Sequence, residues 1–389
     1  MMNPELQQYI KELKQSFRQM MDGAVAQQIL LLACAAIAAC TAWANDSEYY
    51  ASGTQLVPLK QTTIRVTKEV LSIDLRDDGT AFVDVQYEFT NPATEAKTIL
   101  MGFEADPPYS YGDDDEQNTN KFAHPYIKNF SVEINGKKIA HKNAISKVGD
   151  FRPVKKAIYL CVEAAENDET IRDLAYVYYF DATFKPGVNK VHHTYQYKLG
   201  MSTYHFYFLD YKLSPAARWA NKQIDDFTLI INAKKTAKHF FIPTECMPGM
   251  KPEVASGKGK VRKSKHPWEE GHFEWEMAVR NGSIRFHAKN FRPKEELQIH
   301  SGPLFESLKA TYDRSICMAD YNEKDGYNAD FMLRVIHNLP YANRGRVFKD
   351  QELQKFFKSC WWYMPDPIYK DDTSDFTKAD WEYVYYDRK

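Results

Sequence analysis

The sequence predicts an antiparallel β-sandwich-like body followed by a small three-helix unit, and three observations predict it. Apolar residues recur at every second position from about Leu56 to His300, turn dipeptides punctuate those runs, and beyond Pro303 the apolar spacing becomes helical. A chain of 389 residues is also longer than one hydrophobic core usually organises, so two folded units are expected.

The chain opens on a leader. Ile29 to Cys40 is an uncharged apolar run, and Ala42-Trp43-Ala44 after it has the small-x-small form that signal peptidase cuts behind. Residues 1–44 therefore read as a signal peptide with an extended leading region, and the mature chain begins at Asn45. The apolar run is too short for a spanning helix, which needs about 20 residues. The stretch before it balances Lys11, Lys14 and Arg18 with Glu5, Glu12 and Asp22 and sets Leu6, Ile10, Leu13 and Phe17 on one helical stripe. A lipoprotein is the alternative, because the residues leading to Cys34 and to Cys40 both resemble the box before a lipidated cysteine. The expected location is periplasmic or extracellular, with no transmembrane helix after cleavage and a lipid anchor as the variant.

Within 45–302, Leu71, Ile73 and Leu75 alternate toward a turn at Asp78-Gly79, and Ala81, Val83, Val85, Tyr87 and Phe89 alternate back. Asn135-Gly136 suits a type I′ turn that sets Val132 against Ile139 and Glu133 against Lys138. Asn281-Gly282 predicts a third hairpin, pairing Met277 with Phe286, Val279 with Ile284, Glu276 with His287 and Glu274 with Lys289. That outward ladder of charge accounts for His272, Glu274, Glu276 and His287 without a metal. Further strands are expected at 176–184, 191–199, 204–211 and 227–232. Lys251 to His266 reads as a basic, glycine-bearing connection, open to a polyanion but better explained as a solvated loop. The acidic run Asp113 to Glu116 lacks the turn glycine and distal glutamate of a calcium loop.

Composition narrows the partners. The 51 Lys and Arg nearly cancel the 52 Asp and Glu, which points to neither nucleic acid nor an acidic membrane surface. The 25 Tyr and 23 Phe suit strands. Cys161, Cys246, Cys317 and Cys360 remain after cleavage, and an oxidising compartment permits two disulfides. Pairing Cys161 with Cys246 and Cys317 with Cys360 keeps each bridge inside one unit; four buried thiols are the alternative. The absence of C-x-x-C argues against zinc knuckles and thioredoxin chemistry.

In the last eighty or so residues, Asn328 can cap a helix bearing Phe331, Met332, Val335, Ile336 and Leu339, which Pro340 then interrupts. Asp350 caps a second helix with Leu353, Phe356 and Phe357. Thr377 with Asp380 forms a capping box for a third, through Trp381 and Val384.

This unit, about 310–389, resembles the YARHG family, a small domain of bacterial exported proteins. The likeness rests on Asn338, Tyr341, Ala342 and Gly345, then Phe348, Asp350, Leu353, Phe356 or Phe357, Trp362-Tyr363 and Pro365. It implies a compact helical module outside the cytoplasm. Asn343-Arg344 stands where the eponymous motif has Arg-His, so Arg344 is left to supply that charge. Residues 45–302 are more loosely similar to a family of exported bacterial proteins of unknown function, through 44–73 and 291–299. Gly345 can end a helix in the left-handed conformation, with Tyr341 and Phe348 packed across the turn and Trp362-Tyr363 closing the core. The competing reading is a binding face of Tyr341, Arg344, Arg346, Trp362 and Tyr363, since arginine beside aromatics suits carboxylate or sugar-bearing polymers.

The sequence holds no G-x-S-x-G elbow, P-loop, H-E-x-x-H or dinucleotide fingerprint. Adjacent His192 and His193 lie in a strand and face opposite ways, so they cannot share a metal. No catalytic residue, metal ligand or cofactor is expected. The expected function is that of a non-enzymatic exported envelope protein binding a surface polymer or an envelope partner. The alternatives are an exported hydrolase of cell-wall glycan or peptide, and an extracytoplasmic ligand-sensing module.

Overall fold

The computed structural model describes residues 53–60, 62–106, 124, 126–147, 151–154, 174–201, 207–265, 270–301 and 329–387. Residues 1–44 with Cys34 and Cys40, the run Asp113 to Glu116, Cys161, Cys317 and Asn328 lie outside the described residues.

The described strands are, in chain order, β1 (Gly53–Thr54), β2 (Leu56–Pro58), β3 (Arg65–Leu75), β4 (Thr80–Asn91), β5 (Lys97–Ala105), β6 (Ile127–Ile134), β7 (Lys137–Lys138), β8 (Lys142–Lys147) and β9 (Leu174–Phe184). There follow β10 (Gly187–Lys198), β11 (Gly200–Met201), β12 (Tyr207–Lys212), β13 (Ile224–Ala233), β14 (Lys238–Pro243), β15 (Glu253–Lys265), β16 (Phe273–Phe291) and β17 (Leu297–Ser301). Three helices follow them: α1 (Ala329–Asn343), α2 (Gln351–Ser359) and α3 (Lys378–Val384).

Thirteen strands make one sheet, in the order β1-β12-β17-β14-β16-β13-β3-β4-β10-β6-β7, with β11 on β12 and β15 on β16. A four-stranded sheet, β2-β5-β9-β8, shares its core. Met101 and Phe103 of β5 and Tyr178 and Phe180 of β9 are buried in the same cluster as Leu71, Val85, Tyr195 and Phe227 of the larger sheet. Burying each such side chain contributes about 1.5–3 kcal/mol, so this layer dominates the stability of the body. The sheet is mixed rather than wholly antiparallel, because β3 runs parallel to β13 and β1 parallel to β12.

The first hairpin forms about Asp78-Gly79 as expected, with Leu71 opposite Val85, Ile73 opposite Val83 and Leu75 opposite Ala81, all buried. At Asn135-Gly136 both residues have positive φ, 51° and 78°, as a type I′ turn requires, and Glu133 pairs with Lys138. The runs expected at 176–184, 191–199, 204–211 and 227–232 correspond to β9, β10, β12 and β13.

The third hairpin is a correction. Residues 273–291 are one continuous strand, β16, flanked by β14 and then β13 on one side and by β15 on the other. Asn281 has φ 49°, which shifts the side-chain parity by one, so Met277 and Val279 before it and Ile284 and Phe286 after it are all buried. A hairpin would sort the same residues in the same way. What decides between the two is the neighbouring strand. A Cβ on Gly282 would lie 2.0 Å from the Ser256 carbonyl oxygen and one on Gly257 2.0 Å from the Asn281 carbonyl oxygen, so two glycines allow β15 and β16 to close on each other.

That contact also corrects the reading of Lys251 to His266 as a loop: 253–265 is β15, a basic strand paired along β16. The expected ladder of charge does not form either. Glu276 is buried and accepts from His239 at 2.9 Å and Arg262 at 2.6 Å, whereas His287 and Lys289 both pair with Asp226.

In the helical segment Asp350 accepts from the Leu353 amide and caps α2, and Thr377 with Asp380 makes both halves of the capping box on α3. Pro340 does not interrupt α1, which continues to Asn343. Its ring is buried and the turn after it is closed by the Arg344 side chain, which donates to the Pro340 carbonyl at 3.0 Å. Gly345, with φ 91°, then ends the helix in the left-handed conformation. The helices bury Phe331, Met332, Val335, Ile336, Phe348, Phe357 and Trp362 together, and Ala237 and Ala278 of the sheet belong to the same cluster.

Candidate binding site at the seam of sheet and helices

The five residues expected to form a binding face separate into two groups. Arg344, Trp362 and Tyr363 are buried, at 3%, 5% and 4% exposure. Trp362 and Tyr363 pack around Phe357, with ring centroids 6.2 and 5.8 Å away, and the Tyr363 hydroxyl donates to the Arg346 carbonyl. Tyr341 and Arg346 are half-buried. The Arg346 guanidinium stands 4.9 Å from the Tyr341 ring and 5.7 Å from Phe348, so an arginine links the two aromatics across the turn. It also pairs with Asp371 at 3.1 Å.

Arg344 works inside the module. Its guanidinium reaches Asp380 at 2.8 Å and Asp375 at 3.2 Å and lies 4.3 Å from the Phe376 ring. Burial disfavours its charge, but the hydrogen bonds and charges of Asp380 and Asp375 outweigh burial and hold its pKa above the ordinary arginine value. It thereby ties the end of α1 to the start of α3.

The seam itself is built from residues that periodicity and motif did not single out. Arg280 of β16, 3% exposed, donates to the carbonyls of Arg344 at 2.9 Å and Met364 at 3.3 Å and pairs with Asp366 at 3.1 Å. Lys258 of β15 also pairs with Asp366, at 3.2 Å. Burial opposes ionisation of Asp366, yet the bonds from Lys258 and Arg280 prevail and its pKa lies below the usual carboxylate range. Lys260 donates to the carbonyls of Trp361 and Tyr363 at 2.8 and 2.9 Å, and Arg262 sits 4.6 Å over the Trp361 ring. A lone arginine inside the apolar run "MAVRNGSI" is the only local trace of this contact.

Beside these pairs opens a cleft of about 260 Å³. Lys235, Arg280 and Arg344 line it with Asp366, Asp372 and Asp375, and Tyr369 and the 82% exposed Ile368 stand at its mouth. The buried Nε of Arg280 has no hydrogen-bond acceptor among the described residues. Among the described residues no group of three or more His, Cys, Asp or Glu side chains is placed to hold a metal ion. His192 pairs outward with Asp84 at 2.9 Å while His193 is fully buried, so the two histidines are divided as a strand requires. Cys246 is buried and Cys360 half-buried, both as thiols whose pKa burial pushes up to about 11.

Residues 311–389 match the YARHG domain model. The helical segment is a YARHG domain. Residues 44–151 match a domain of unknown function (DUF4424), which covers the β strands up to β8 and stops short of the YARHG seam. No curated protein matches the chain in sequence. In structure the chain is similar to a "putative nutrient binding protein" of Legionella pneumophila, 17% identical, over 87% of this chain and 98% of that one, with a TM-score of 0.51. An M1 zinc metallopeptidase of Deinococcus radiodurans is 9% identical over 63% of this chain and 43% of that one, with a TM-score of 0.26. No helix among the described residues is long and apolar enough to cross a membrane.

Proposed function

We propose that the chain is a non-enzymatic, exported cell-envelope protein that binds a surface polymer or an envelope partner, with 45–302 and 310–389 acting as two domains that share one cleft. The observation that carries this reading is a cleft lined by both signs of charge, Lys235, Arg280 and Arg344 against Asp366, Asp372 and Asp375. Acids and bases alternating around it suit a chain that itself carries both, as amino-acid-bearing wall polymers do. The YARHG domain and the leader-like N-terminus support an envelope setting.

Mature protein incubated with purified sacculi tests the proposal. Retention without released fragments is expected, and Ile368→Asp combined with Tyr369→Ala at the mouth of the cleft lowers retention about tenfold, the loss of one modest contact cluster. Soluble muropeptides would replace this reading with the hydrolase. Thermal stabilisation by a small metabolite, with no retention, would replace it with the sensing module.

A further inference from the structure

The core between the two sheets is not uniformly apolar. Glu69 occupies an inward position of β3 next to Leu71 and is 1% exposed. Its two carboxylate oxygens accept from one donor, the Gln55 side-chain amide, at 2.8 and 2.7 Å. No cationic side chain acts on it among the described residues. A buried carboxylate ordinarily has a cation, a metal or a proton to neutralise it, because leaving it bare in a low-dielectric interior costs several kcal/mol.

The surroundings are oxygen-rich. Tyr87 of β4, opposite Glu69 in the sheet, Tyr195 of β10 and Tyr211 of β12 all lie close enough to interact with Glu69 electrostatically, and each is at most 3% exposed. Four buried oxygens, Thr54 Oγ1, Gln55 Oε1 and the hydroxyls of Tyr195 and Tyr211, have no hydrogen-bond partner among the described residues. Thr54 and Gln55 are buried at 0% and 2%. The Tyr195 hydroxyl lies beside the Thr54 backbone amide and the Tyr211 hydroxyl beside that of Tyr87, without reaching hydrogen-bond geometry. His193, stacked at 5.6 Å on Tyr87 and 5.9 Å on Tyr195, is kept neutral by burial and supplies no compensating charge. Orphaned buried oxygens in such number around one unpaired carboxylate are a departure from the rule that buried polar groups are satisfied.

We propose that Glu69, with Thr54, Gln55, Tyr87, Tyr195 and Tyr211, forms an internal site for a desolvated monovalent cation of sodium or potassium size. The donor set selects the class. It offers oxygen alone, which suits hard cations and not zinc or copper. A single carboxylate neutralises a single charge, whereas calcium is held by several carboxylates and magnesium keeps its waters. Binding ties β1, β3, β4, β10 and β12 together at the point where the small sheet meets the large one, so the site is a structural clasp.

The test uses the mature chain at pH 8.5, above the value of about 8 to which burial raises the Glu69 pKa, in N-methylglucamine chloride against potassium or sodium chloride at equal ionic strength. The melting temperature is expected to rise with alkali ion by about 2–4 °C and to saturate, as mass action requires of a ligand bound only by the folded state. Glu69→Gln, which keeps the shape and removes the charge, abolishes the alkali-specific rise. A rise of equal size in the variant, or none in the wild type, overturns the proposal. Crystals soaked in rubidium or thallium(I) salt provide a readout that does not depend on the variant folding: an anomalous peak beside Glu69 is expected, and density for water alone overturns the site.

Discussion

The Arg280 guanidinium, on β16 of the sheet, donates at 2.9 Å to the backbone carbonyl of Arg344 at the end of α1. Two buried arginines therefore meet at the seam, and each is neutralised from the helical side, Arg280 by Asp366 and Arg344 by Asp375 and Asp380. The YARHG domain is attached to the sheet through this set of charges as well as through Ala237 and Ala278. Removing one partner leaves a buried charge bare, which is why the seam is sensitive to single substitutions.

Asp380→Ala is expected to destabilise the YARHG domain by about 3–5 kcal/mol, because the carboxylate both pairs with buried Arg344 and completes the capping box on α3. Chemical denaturation followed by tryptophan fluorescence reads the effect, since Trp362 and Trp381 lie within the segment. Lys378→Ala, which breaks only the exposed Lys378–Glu382 pair, leaves the midpoint unchanged. Equal midpoints for both variants would show that the Arg344 pairing is not structural.

Glu69 makes stability depend on pH. Burial raises its pKa from 4.5 to about 8, against an opposing bond from Gln55. The fold keeps a proton that the unfolded chain gives up, so this contribution is complete below about pH 4.5 and is lost as the pH rises to about 8. In buffer free of alkali ions the unfolding free energy falls across that window by about 1.4 kcal/mol per pH unit at its steepest. Glu69→Gln removes this slope. Urea titrations of both proteins at several pH values decide it, and parallel curves would refute the assignment.

Gly257→Ala and Gly282→Ala are each expected to cost about 1–3 kcal/mol, since a Cβ at either site meets backbone of the facing strand at 2.0 Å and Gly257 also has φ 71°. Gly136→Ala has nothing within 4 Å and carries only the penalty of φ 78°, about 1 kcal/mol. Denaturation midpoints that rank Gly136→Ala as the most damaging of the three would contradict the close approach of β15 and β16.

The chain's own residues determined the two-period strands, the Asp78-Gly79 and Asn135-Gly136 turns, the caps at Asp350 and Thr377, and the YARHG segment. Each of these is a local matter: alternation, positive φ, or a side chain reaching a backbone amide a few positions away. Tertiary structure alone decided what Asn281-Gly282 does, because a turn and a parity shift within one strand require the same φ from asparagine and sort the flanking side chains identically. The choice was made by Gly257 on another strand. The same holds for Arg280, whose partners Arg344, Met364 and Asp366 lie 64 to 86 positions away, and for Glu69, a carboxylate on the buried face of its strand. Periodicity records which way a side chain faces, and only packing supplies the charge or the oxygen that it meets.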